Sequence, residues 1–202
     1  MLQNEKIRLL DAWKNSLFAD LSISEIMDIS KKKTKPWVFN SLNELTENKL
    51  LIAKKKGNIN TYQLNVDNPL LLQLLNYLNV QKNLRFKHLD LIQNIISNIS
   101  YKNYVLLVLE SEDKKKKNSD LDIVFLLDNK EDKKKIKASF NEITSKYSAK
   151  VKDNYLTYGE FIELLLNDKE SLGRQIFMKS KIFYNSDIYY QLIKEAYKHG
   201  FR

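Results

Sequence analysis

The chain has 202 residues, 43% of them hydrophobic, enough for two small domains or one of moderate size and too apolar for a disordered chain. It has no cysteine, which excludes disulfides, thiolate zinc sites and cysteine nucleophiles and fits a reducing cytoplasm; no apolar run has membrane-spanning length, and the first twenty residues lack a signal-peptide layout. The 34 basic residues against 25 acidic ones leave a net charge of +9, a balance that favours polyanionic partners unless the lysines only solvate the surface.

Ile7, Leu10, Trp13 and Leu17 recur at helical spacing, so a first helix is expected over 5–17. Ser22 followed three residues later by Glu25 is a capping box, which predicts a short second helix ending near Ser30. Lys31, Lys32 and Lys33 form the turn after it. Pro36 suits a first helical turn, and a third helix over 36–47 would bury Val38, Leu42 and Leu45. A strand over 50–53 and a return strand over Ile59–Leu64 flank Lys54, Lys55, Lys56, Gly57 and Asn58, which read as the turn of a hairpin.

Helix, short helix, helix and hairpin, in that order over 2–65, resemble the winged helix-turn-helix of many bacterial and archaeal regulators. In such proteins the third helix enters the major groove and the wing touches the backbone. The resemblance therefore implies DNA as a partner. Lys31, Lys32, Lys33 and Lys35 beside the third helix, and Lys54, Lys55 and Lys56 at the wing tip, would neutralise phosphates. Asn40, Ser41 and Asn43 would face base edges. The other reading of the same module is protein docking or dimerisation.

Pro69 opens a leucine-rich helix over 70–78. It reads as part of a linker over 68–84, between a winged-helix domain over 1–67 and a second domain over 85–202. Packing between domains and a homodimer interface are both open to it.

The second domain reads as an amphipathic helix over 86–99, the apolar strand Tyr104–Leu109, a loop carrying Ser111, and a strand opening Ser119, Asp120, Leu121, Asp122. A helix, a strand over 149–156 and further helices follow. Asp120 and Asp122, at i and i+2, share one strand face. Two carboxylates that close repel, so water, lysine or a divalent metal must compensate them.

This pattern over 85–190 resembles the DNA polymerase β-like nucleotidyltransferase superfamily, and more closely the minimal nucleotidyltransferases found beside or fused to winged helices in archaea. The family signature is Gly-Ser after an apolar strand, an Ala-Arg-Gly loop, then Ser-Asp-x-Asp opening the next strand. The chain departs from it twice. Glu110 stands where the glycine belongs, adding negative charge beside Ser111, and Lys114, Lys115, Lys116 and Lys117 occupy the Ala-Arg-Gly loop. Leu156 to Leu165 is similar to a helix entry of that family, and Arg174 to Phe177 with Ile182 to Asn185 to its C-terminal region.

The resemblance implies an α+β fold, a small mixed sheet flanked by helices, and Mg²⁺-dependent transfer of a nucleoside monophosphate from an NTP to a hydroxyl. Asp120 and Asp122 would hold the metal. Ser111, Ser119 and the lysines Lys114 to Lys117 would hold the triphosphate. A third carboxylate on the neighbouring strand would act as base; Asp153 is the acidic candidate and Lys152 the competing register. The alternative is a catalytically degenerate regulator, or an antitoxin-like protein with a toxin-type partner. Walker-type loops, GxSxG elbows and HExxH motifs are absent from the sequence.

Overall fold

The computed structural model describes residues 3–32, 34–109, 121–167 and 171–201. The chain divides into two units, 1–78 and 79–201.

The first unit opens with α1 (Asn4–Ile7), which passes directly into a 3₁₀ helix (Arg8–Trp13). The single α-helix expected over 5–17 is therefore shorter and tighter. Trp13 explains the stop: its ring is buried and its indole N–H donates to the Ala19 carbonyl at 2.9 Å, folding the chain back beneath it. A two-residue strand, β1 (Leu21–Ser22), leads into α2 (Ile23–Ser30). The capping box is formed: the Ser22 hydroxyl accepts from the Glu25 N–H, and the Glu25 carboxylate accepts from the Ser22 N–H at 2.7 Å. Next, α3 (Lys35–Glu47) carries Pro36 in its first turn and buries Val38, Leu42 and Leu45.

The hairpin β2 (Leu51–Lys56) and β3 (Ile59–Leu64) differs from expectation at its tip. Lys54, Lys55 and Lys56 are ladder residues opposite Thr61, Asn60 and Ile59, not turn residues. The turn contracts to Gly57 and Asn58 because Gly57 adopts φ +60°, which closes a tight hairpin without help from its neighbours. The β1 strand pairs with β3, Leu21 opposite Tyr62, giving an antiparallel sheet of order β1-β3-β2. The leucine-rich helix α4 (Pro69–Asn83) is longer than its apolar run, and the division between units falls inside it.

The second unit keeps the expected order of helix, strand, strand, helix, strand and helices, with one strand more than expected standing between the last two helices. Its elements are α5 (Leu89–Asn98), β4 (Tyr104–Leu109), β5 (Leu121–Leu127), α6 (Asp132–Thr144), β6 (Val151–Thr157), α7 (Tyr158–Leu166), α8 (Leu172–Lys179), β7 (Ser180–Tyr184) and α9 (Ser186–Lys198). The sheet order is β6-β5-β4-β7; β5 and β6 run parallel and the other pairs antiparallel. The fold is α+β. Alternate residues of β4 and β5, among them Tyr104, Leu106, Ile123 and Phe125, pack on Ile92 and Ile95 of α5 and on Ile136 and Phe140 of α6. Val105, Leu107, Val124 and Leu126 point the other way and are equally buried. Burial on both faces is why these two strands read as continuous apolar runs.

Tyr104 is an exception inside that core. Its ring packs against Phe125 and Tyr184, with centroids at 5.5 and 5.0 Å, and it is fully buried. Its hydroxyl has no hydrogen-bond partner among the described residues, and burial pushes its pKa far up. An orphaned buried hydroxyl costs about 1–3 kcal/mol. Tyr104→Phe should thus keep the fold and raise the unfolding free energy by about 1 kcal/mol. A lower midpoint in urea would show that the hydroxyl is satisfied after all.

Candidate functional site

Asp122 stands at the head of β5, half-buried. The ladder sets it between Leu109 of β4 and Lys152 of β6, and Leu109 lies opposite Ser180 of β7. Cross-strand partners share a face. Ser180, Leu109, Asp122 and Lys152 thus form one row across all four strands, at the end of a face whose β4 and β5 residues are otherwise apolar. Ser180 is buried, whereas Lys152, and Asn154 two residues on, are exposed on the edge strand. Leu109, the last residue of β4, and Leu121, the first of β5, both stand at this end of the sheet. Glu110, Ser111, Lys114, Lys115, Lys116, Lys117, Ser119 and Asp120 lie outside the described residues.

Asp153 does not join the row. The parallel register places it opposite Ile123, on the face covered by α5 and α6, and its carboxylate is ion-paired with Lys137 of α6. Burial, the largest single influence, would raise its pKa; the Lys137 ammonium and the Tyr155 hydroxyl together outweigh it and leave it lowered. The residue beside Asp122 on β6 is Lys152, so the expected third carboxylate is replaced by a cation. Strand alternation is the reason: neighbours on a strand point to opposite faces.

Lys133, Lys135 and Lys137 of α6 are occupied within the unit. Lys135 pairs with buried Asp132 at 2.6 Å, and the Tyr101 hydroxyl donates to the same carboxylate at 2.7 Å. Lys133 lies 4.9 Å from the centre of the Tyr155 ring, which stacks on Phe125. Among the described residues no group of three or more His, Cys, Asp or Glu side chains is arranged to hold a metal ion.

The other end of the sheet carries a second capping box. At the start of α7, the Thr157 hydroxyl accepts from the Glu160 N–H and the Glu160 carboxylate accepts from the Thr157 N–H, while Lys130 pairs with Glu160 at 2.7 Å. Lys130, then the Thr157 N–H, pulls the Glu160 pKa down to about 2. A carboxylate depressed in the folded state stabilises above its unfolded pKa, about 4.3. That contribution is lost as pH falls towards about 2. Glu160→Gln should make the acid side of the stability profile shallower across that window in thermal melts; superimposable acid limbs would count against the assignment.

In the first unit, Lys35 and Asn40 are exposed on α3, and Asn43, three residues on, shares the Asn40 face and is half-buried. Ser41 turns inward: it is 1% exposed and its hydroxyl donates to the Trp37 carbonyl at 2.8 Å, which removes it from the base-reading set. Lys31 ends α2 in the left-handed region, with φ 55°. Lys32 lies 4.8 Å from the centre of the Trp37 ring. Lys33 is outside the described residues. Lys54 and Lys56 both reach Asp20, at 3.1 and 2.8 Å, and Lys55 projects from the opposite face of β2. The Lys56 contact, followed by that of Lys54, outweighs desolvation and lowers the Asp20 pKa.

No family model, curated protein or solved structure matches the chain. Among the described residues no helix is long and apolar enough to cross a membrane.

Proposed function

We propose that the chain is a nucleotidyltransferase-like protein with a DNA-binding winged helix, moving a nucleoside monophosphate from an Mg²⁺-bound NTP to a hydroxyl acceptor, whose oxygen bonds to the α-phosphorus as the bond to the β-phosphate breaks and pyrophosphate leaves. The observation that carries this reading is Asp122 at the head of β5, in the row it shares with Leu109 and Lys152 at the end of the sheet where β4 finishes and β5 begins. Asp120 precedes it by two residues in sequence. The donor set fits the metal: Mg²⁺ takes hard oxygen ligands and commonly binds through one or two carboxylates plus substrate phosphates. Asp120 and Asp122 would hold it; its chemistry there is to neutralise phosphate charge and lower the pKa of the attacking oxygen. Lys152 and the lysines Lys114 to Lys117 supply positive charge for the triphosphate, as point charges rather than bidentate forks.

A second reading has its own support. Lys152 stands on the strand position where a third carboxylate would act as base, which favours nucleotide binding without transfer, in a DNA-binding regulator or an antitoxin-like protein. Incubating the full chain with labelled NTPs and Mg²⁺ separates the two. Label transferred to an acceptor supports the enzyme. A rise in melting temperature with Mg²⁺ and NTP but no label supports the binding protein. Neither effect would overturn both.

A further inference from the structure

We propose that Lys54 and Lys56 form a phosphate-binding pair that Asp20 occupies in the free protein, so that Asp20 acts as an intramolecular stand-in for a DNA phosphate and restrains DNA binding. The inference rests on the winged-helix reading of the first unit. Alternation along β2 puts Lys54 and Lys56 on one face. Their ammonium groups reach different oxygens of one carboxylate, Lys54 to Oδ1 at 3.1 Å and Lys56 to Oδ2 at 2.8 Å. Two oxygens of one anion held by two ammonium groups is the arrangement that the non-bridging oxygens of a phosphodiester would take up.

Both lysines remain accessible, at 43% and 63% side-chain exposure, whereas Asp20 beneath them is 18% exposed. An incoming phosphate can therefore reach the lysines while Asp20 stays in place, and the two anions compete. Ion pairs of exposed lysines are weak and screened, so they exchange readily. Lys54 does not depend on Asp20 for its position. Its ammonium also donates to Gln63 Oε1 at 2.7 Å, and the Gln63 amide donates to the Phe18 carbonyl at 2.9 Å. Removing the carboxylate leaves Lys54 held and raises the charge of the pair from one net positive to two.

A purely structural Asp20 predicts a different outcome. If it only ties the loop before β1 to the hairpin, its loss lowers stability and leaves DNA affinity unchanged or weaker.

Fluorescence anisotropy with a labelled mixed-sequence duplex and the full chain distinguishes these. Asp20→Asn should tighten binding about three- to tenfold at low salt and steepen the log–log salt dependence by about one, one further phosphate contact. With Lys54 and Lys56 both changed to alanine, Asp20→Asn should produce no tightening. Unchanged or weaker binding by a folded Asp20→Asn protein overturns the proposal. So does equal tightening in the lysine-free background, which would be a net-charge effect. Asp20→Ser, read the same way, serves if Asp20→Asn does not fold. If neither the wild type nor any variant retains the duplex at low salt, the winged-helix reading beneath the proposal fails first and the proposal falls with it.

Discussion

Replacing Gly173 with alanine should destabilise the second unit by about 2–4 kcal/mol, through overpacking against a backbone that cannot step aside. A methyl group at Gly173 would lie 2.7 Å from the Leu164 Cβ, 2.8 Å from the Leu164 carbonyl carbon and 2.9 Å from the Leu165 nitrogen. These atoms belong to α7. The neighbouring turn is pinned to the same place: the Ser171 hydroxyl accepts from the Arg174 N–H, capping α8, and donates to the Leu164 carbonyl. Glycine to alanine in an open helix would gain roughly 1 kcal/mol. Here the clash reverses the sign, and α8 must move off α7. Because β7 begins where α8 ends, Ser180 and its end of the polar row should shift with it. For a chain of this size the melting midpoint should fall by about 5–15 °C. Far-UV circular dichroism is the appropriate probe, since both tryptophans, Trp13 and Trp37, lie in the first unit. A midpoint that holds or rises would mean that the two helices part without strain.

Local signals were legible and non-local ones were not. The Ser22–Glu25 capping box, the buried stripe of α3 and the end points of β4 follow from spacings within one element, and the structure forms each of them. By contrast, β1 is two residues long and carries no periodicity, so only its pairing with β3 defines it. The extent of β2 depended on how few residues Gly57 needs to turn the chain. Ser41 lies on the inner side of α3, although its polarity suggested a reader of base edges. The union of Lys54 and Lys56 with Asp20 joins residues more than thirty positions apart in sequence, and no local pattern announces it.

The candidate site shows the same limit more sharply. Two aspartates in an i, i+2 pattern at the start of an apolar run stood out in the sequence. The cross-strand neighbours of Asp122 did not. Whether Lys152 or Asp153 accompanies Asp122 depends on a register of one residue between two parallel strands, and that register is set by how Tyr155 meets Phe125 and how Val151 meets Leu121 in the core. Ser180 reaches the row only through the pairing of β7 with β4, which joins segments about seventy residues apart.

That register yields the most discriminating expectation. On the proposed function, Asp122→Asn should abolish any rise in melting temperature with Mg²⁺ and NTP, and should lower label transfer at least about a hundredfold, because the proposed metal ligand and its charge would be lost together. Asp153→Asn should leave both signals intact. Its carboxylate lies on the opposite face and serves Lys137, whose side chain is 41% exposed, so solvent screening keeps the cost of the lost pair to about 1 kcal/mol of stability. That cost should also depend on pH. The Asp153 pKa is lowered in the folded protein, so its contribution is present above the unfolded carboxylate pKa and disappears as the medium is acidified below it. Asp153→Asn should therefore approach the wild type in stability at acid pH and fall short of it near neutrality. If Asp153→Asn instead removes label transfer from a folded protein while Asp122→Asn does not, the chemistry lies on the face covered by α5 and α6, and the assignment of the site to the Asp122 row is wrong.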